Sequence, residues 1–292
     1  MAPSFLFSQF MGGLTTAMFL FLIASGLSLV FGVMRVINFA HGSFYMLGAY
    51  LAWQVMRWVH PSSGGFWLAA LTAALGVGLL GVVIERLFFR SLYGREELYQ
   101  LLFTYALVLI LGDAAKYIWG VDQLSVSAPP VLAGSVRMFG TQQPLYSLFI
   151  IVLGPLIAFF GWLGLNRTGV GRMVRAAQMD REMLDALGAN VRTIYTGMFA
   201  FSAFLAGLSG ALVTPIESIV PGMDVLIIVQ AFIVVVIGGM GSFWGTFWGS
   251  VIYGQVLSFG ILILPGFSLF SVFALMAVIL IVRPWGLFGR PL

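Results

Sequence analysis

Residues 22–50 read "LIASGLSLVFGVMRVINFAHGSFYMLGAY", two oily stretches around a polar island. The oil before the island begins at Phe5, and the oil after it runs on through Trp58. The island holds Asn38, His41, Gly42 and Ser43. In hydrocarbon an unpaired polar group costs several kcal/mol. These residues therefore mark either a break between two helices or the lining of something wet. With Arg35 beside them, the stretch predicts a cytoplasmic turn between the first two membrane spans. There Asn38 and Ser43 serve helix ends, and the glycines let the second helix pack closely. His41 reads as structural at this break, and the break itself is a candidate lining of a pathway.

The oil continues along the chain. Its 292 residues are 61% hydrophobic and 8% charged, against about 25% charged in soluble domains. This composition predicts an all-α polytopic membrane protein. Apolar stretches near the ~20 residues that a crossing helix needs fall at 8–33, 39–59, 66–88, 98–119, 145–165, 191–213, 219–238, 243–264 and 267–284. Residues 1–292 thus read as a single transmembrane domain of about eight or nine helices. The weakest is 219–238, whose strongly apolar core from Val225 to Ile237 is short; it is the candidate re-entrant or broken helix. Without cysteines there is no disulfide, thiol catalyst or cysteine metal site, and two histidines do not build a zinc site. No catalytic or metal residue is assigned. The first ten residues lack Lys and Arg, so the first apolar stretch reads as a retained span and not a secretory signal.

The net charge of +4 does not point to nucleic acid, because basic residues of membrane proteins mark cytoplasmic loops. Arg35 is one such position; Arg86, Arg90 and Arg95 form a second group; Arg167, Arg172, Arg175, Arg181 and Arg192 a third; Arg283 and Arg290 a fourth. Nine spans place all four on the cytoplasmic side, with the N-terminus outside and the C-terminus inside. The segments 120–144 and 214–224, the latter carrying Glu217 and Asp224, are then external. Glu85 and Arg86 read as boundary residues of the third span, Asp113 and Lys116 as a local pair at an interface, and His60 as a loop residue at the membrane edge.

A weak internal repeat links "AHGSFYMLGAY" (40–50) with "GMGSFWGTFWGS" (239–250), both Gly-Ser-Phe stretches opening an apolar helix. Paired helix breaks mark the pathway in many transporters, so Gly239, Gly241 and Ser242 join the pathway candidates. The soluble stretch 166–195 carries eight charged residues. Within it, 172–187 contains no Pro or Gly and predicts one helix, ended by Gly188. Val174, Ala177, Met179, Met183, Ala186 and Leu187 form an apolar stripe. Such a helix either rests on lipid, fills a partner's groove or is a solvated connector.

"GLSLVFGVMRVINFAHGSFYMLGAY" (26–50) resembles the signature of the LivH-like permease subunits of high-affinity branched-chain amino acid ABC importers. "GRMVRAAQMDREMLDALGANVRTIYTGMFAFSAFLAGLSGAL" (171–212), "VVIGGMGSFWGTFWGSV" (235–251) and "RPWGLFGRPL" (283–292) are similar to the same family in the same order. The resemblance implies an inner-membrane pathway subunit for branched-chain or related amino acids. It also implies a second related permease, two ATPase subunits and a periplasmic binding protein. It makes 166–190 the ATPase-coupling loop, with Arg175, Ala176, Ala177, Asp180, Met183, Asp185, Leu187 and Gly188 as its contact candidates. Here Arg175 stands where ABC permeases carry Glu, and Gly188 lies farther from the Ala pair than usual. No G-x-x-x-x-G-K-[ST] phosphate loop occurs. The chain is therefore expected to hold no cofactor, ATP belonging to its partners. Two other readings are the same machine carrying urea, short amides or another small organic solute, and a self-sufficient secondary transporter or channel. The latter usually needs intramembrane ionisable groups.

Overall fold

The structure, a computed structural model, describes residues 3–59, 63–263 and 265–289. His60 and Arg290 lie outside them. Eleven helices carry the fold: α1 (Pro3–Met34), α2 (Ala40–Trp58), α3 (Ser63–Ile84), α4 (Glu97–Trp119), α5 (Leu145–Arg167), α6 (Gly169–Met179), α7 (Arg181–Ala186), α8 (Val191–Val213), α9 (Met223–Gly238), α10 (Phe243–Ile263) and α11 (Ser268–Val282). A short antiparallel hairpin, β1 (Ser135–Met138) and β2 (Thr141–Pro144), precedes α5, with Ser135 opposite Pro144. Each of the nine expected spans is met by an apolar helix. Among the described residues six are long and apolar enough to cross a membrane alone, namely α1, α3, α4, α5, α8 and α10.

A helix that is apolar all round belongs inside a bundle. Accordingly α1 is buried from Ala17 to Val30 and packs against α5, α8, α9 and α10. The outer helices turn large apolar side chains outward: Leu71, Leu75 and Leu79 on α3, Leu102 and Ile110 on α4, Phe159 and Phe160 on α5. Lipid tails are the solvent that such a surface requires. The molecule is a multi-pass membrane protein.

Contacts fix the two ends. Gly32 of α1 lies against Gly241 and Gln178, Arg90 reaches Thr196 at the start of α8 (3.1 Å), and Gln100 of α4 bonds the Leu92 and Arg95 carbonyls. The Leu287 N–H donates to the Ile237 carbonyl. The arginine groups of the described residues thus gather at one end of the bundle. At the opposite end Phe7 meets Phe139, Tyr146 bonds the Leu212 carbonyl, and Leu124 bridges Ile219.

The island at 36–50 does not lie at the arginine-rich end, as the turn reading expected; only Arg35 does. Arg35 takes a left-handed φ of 53°, an uncommon state for a non-glycine residue. Residues 35–38 then run back into the bundle without helix. His41 Nε2 lies 2.8 Å from the Ile23 carbonyl oxygen, which is 11 residues (34 − 23) before the end of α1. At 1.5 Å per residue that is about 16 Å inside. The polar groups tolerate this depth because most find partners there. α2 therefore begins in the middle of the bundle. It leaves toward the opposite end, where Tyr50 stacks on Trp119 with centroids 5.0 Å apart.

Two further expectations change. The loop helix is two helices, broken at Asp180, which adopts an extended backbone and caps α7 by accepting from the Met183 N–H (2.9 Å). Asp is a better N-cap than a helix-interior residue, and here that preference wins. Glu85 is fully buried in a π-turn, Glu85–Phe89, that continues α3. It accepts from Tyr93 (2.7 Å) and Thr196 (2.6 Å), with Arg90 at 3.5 Å, and so ties α3 to α8.

Candidate functional site

The first site is where α2 and α9 begin. Gly222, with a left-handed φ of 92°, precedes α9. Asp224, in the first turn of α9, is 3% exposed. Ser43 Oγ donates to Asp224 Oδ2 at 2.8 Å. A Cβ at Gly42 would collide with the Asp224 carbonyl, so only glycine permits this approach. Two helix N-termini thus meet in mid-bundle and the helices leave in opposite directions. An acidic side chain suits the positive ends of both dipoles. Asn38 Oδ1 beside this break, and the Tyr50 hydroxyl further along α2, are buried with no hydrogen-bond partner among the described residues. The Ser202 hydroxyl stands 3.4 Å from His41 Nδ1.

α2 is held against α8 by small residues, the packing that membrane helices favour. A Cβ at Gly48 would strike the Gly207 backbone, and one at Gly210 would strike the Tyr45 carbonyl.

The second site is the α6–α7 loop. Thr168 caps α6, accepting from the Gly171 N–H at 3.0 Å. Gly188, at φ 85°, closes α7: its N–H donates to the Asp185 carbonyl (2.9 Å) and that of Ala189 to Leu184 (3.3 Å). That is the paired bonding of a Schellman cap. Arg175 faces inward, bonding the Leu165 carbonyl and Asn166 Oδ1 at the end of α5. Ala176 is half-buried, and Val174 and Ala177 are buried against the bundle. Outward stand Met179 (84% exposed), Met183 (58%) and Leu187 (76%), with Asp180 and Asp185 also exposed. The stripe read from sequence is therefore divided: Val174 and Ala177 anchor the loop, and Met179, Met183, Ala186 and Leu187 are presented. A cavity of about 350 Å³ lies between Val33, Met34 and Arg35 on one side and Gln178, Asp180 and Glu182 on the other. It sets the loop directly beside the return segment leading to His41.

A family model described as branched-chain amino acid transport system / permease component matches residues 9–282. The chain belongs to this permease family. The high-affinity branched-chain amino acid transport system permease protein BraD of Pseudomonas aeruginosa is 30% identical over 295 residues, covering 97% of this chain and 95% of its own. LivH of Salmonella typhimurium, with the same description, is 27% identical over 310 residues, covering 100% and 98%. LivM of Escherichia coli, also so described, is 26% identical over 253 residues, covering 78% of this chain and 58% of its own. No solved structure matches the chain.

In this permease the candidate residues do not form one site. Asn38, His41, Gly42 and Ser43 gather at the mid-bundle break. Gly239, Gly241 and Ser242 lie at the arginine-rich end, Gly241 against Gly32 and Ser242 capping α10 through the Gly245 N–H (3.1 Å). The two stretches that echo each other in sequence thus occupy different levels. Sequence reading left Asp224 in an external loop; the signal that could have found it was an acid two residues after Gly222 and directly before the short apolar core that starts at Val225. Asp113 and Lys116 are a surface pair (3.0 Å), exposed as expected.

Proposed function

We propose that this permease is the inner-membrane pathway subunit of an ABC importer for branched-chain or related amino acids. The observation carrying this reading is the α6–α7 loop, capped at both ends and anchored on one face, with Met179, Met183 and Leu187 presented on the other. A rigid loop with an unpartnered apolar face suits a groove on an ATPase subunit, where the flanking charges set register. The positive-inside rule makes the arginine-rich end cytoplasmic, which puts this face where ATPases work and leaves the N-terminus outside. Two ATPases bind the ATP; this chain needs no cofactor. Likeness to both LivH and LivM supports a second, related permease as partner. A periplasmic binding protein delivers the solute to the opposite end.

In this mechanism the loop moves with the ATPases and shifts the end of α1 through Gln178 and Gly32. The return segment 35–38 carries that shift to the half-helices at His41, Ser43 and Asp224. Asn38 Oδ1 on the return segment and the Tyr50 hydroxyl on α2, buried with no hydrogen-bond partner among the described residues, are the groups a passing polar solute can engage.

The test is a Met183→Asp/Leu187→Asp double variant. Burial of each side chain is worth ~1.5–3 kcal/mol, so the variant is expected to insert normally yet lose ATPase co-purification and uptake together. Normal association and uptake in a stably expressed variant would return the loop to a solvated connector. Wild-type cells are expected to take up labelled leucine, isoleucine or valine; uptake of labelled urea instead would move the substrate assignment to small amides.

A further inference from the structure

The cavity of about 350 Å³ between the end of α1 and the start of α7 is lined by both signs of charge. Its size is near the lower limit of ligand pockets, about 300 Å³, and suits a molecule as small as an amino acid. Arg35 and Arg181 line it, and so do Asp180 and Glu182. None of the four forms an ion pair among the described residues. One oxygen of Asp180 caps α7, and the other has no hydrogen bond among the described residues. Val33, Met34 and Met179 add apolar wall.

A buried group on the same wall asks for a ligand. Tyr195, near the start of α8, lines the cavity and is only 5% exposed. Tyr93 packs edge-on against its ring, with centroids 5.2 Å apart. The Tyr195 hydroxyl nevertheless forms no hydrogen bond among the described residues. Buried polar groups are rarely left without a partner, and a polar molecule in the cavity supplies one. The charges narrow its chemistry. An anion would face two carboxylates, and a cation would face two guanidinium groups. A zwitterion satisfies both signs at once.

We propose that this cavity binds a small apolar amino acid as its zwitterion. The carboxylate sits at Arg35 and Arg181 and accepts from the Tyr195 hydroxyl, the ammonium group sits at Asp180 and Glu182, and the side chain lies along Val33, Met34 and Met179. That this molecule is the importer's own product, returning from the cytoplasm, rests on the proposed function; the charge pattern does not. The bound amino acid bridges α1 and α7, the two elements whose relative shift carries the coupling. It holds them at one spacing and slows import as product accumulates.

The first measurement is binding of labelled leucine to the full-length permease in nanodiscs. Saturable binding is expected. Tyr195→Phe and the Arg181→Gln/Glu182→Gln double variant should each weaken it about tenfold or more, since each removes hydrogen bonds to a charged group. Isocaproate, which lacks the ammonium group, and isopentylamine, which lacks the carboxylate, should compete far less well than leucine. The second measurement is leucine uptake by right-side-out membrane vesicles. Preloading with leucine should slow the initial rate in wild type and have little effect in Tyr195→Phe, whose uptake into empty vesicles should match wild type. No saturable binding, binding unchanged in both variants, isocaproate competing as well as leucine, or wild-type uptake indifferent to preloading would each overturn the proposal. Absent uptake into empty vesicles would count against the proposed function instead, and the binding results would then decide the cavity.

Discussion

Ser43 and Asp224 join the two half-helices through one hydrogen bond, far from water. Removing one partner leaves the other buried and unpaired, at a cost of about 1–3 kcal/mol. Ser43→Ala and Asp224→Ala are each expected to lower the thermal unfolding midpoint in detergent. The double variant should lose less than the sum of the two, because the second change removes a group already stranded. Additive losses would mean that the pair is not coupled. At this scale the sequence was partly legible. The polar island announced a helix break, since oil tolerates no unexplained Asn, His and Ser. Its partner could not be read, because Asp224 lies 181 residues further on.

Among the elements, α7 shows how local chemistry sets a presented surface. Only six residues long, it cannot hold itself as a helix; Asp180 at one end and Gly188 at the other define it. Gly188 has nothing within 4 Å of a Cβ but a left-handed backbone. Gly188→Asn should therefore be accepted, whereas Gly188→Val should cost about 1–3 kcal/mol of backbone strain. Hydrogen exchange across 181–190 is the measurement: faster exchange with Val and near-native exchange with Asn. Equal protection in both would show that the cap does not order the loop. The Gly188 stop was visible in the sequence because it depends on one residue's backbone freedom. The break at Asp180 was not, because either a continuous helix or a cap satisfies the same residues. Likewise Glu85 looked like a boundary charge until Tyr93, Arg90 and Thr196 were seen around it.

For the whole molecule, the arginine groups converge on one end, and the proposed topology, argued from the positive-inside rule, has that end in the cytoplasm. The chain has no native cysteine, so single cysteines report cleanly. Leu187→Cys should resist an impermeant thiol reagent in intact cells and react after permeabilisation, while Ser127→Cys should react in intact cells. The reverse pattern would invert the topology. The sequence by itself determined that the chain is an all-helical membrane bundle, where its apolar helices lie, and that four arginine groups share a side. Hydropathy and charge are sums over neighbouring residues, and a span or a loop is a local object. Only the tertiary structure decided how deep α2 begins, that α9 starts opposite it, and which half of the loop stripe is presented. Depth and facing are set by contacts between residues far apart in the chain, such as His41 with Ile23 and Ser202, or Gly32 with Gln178, and no window of sequence contains both partners' positions in space.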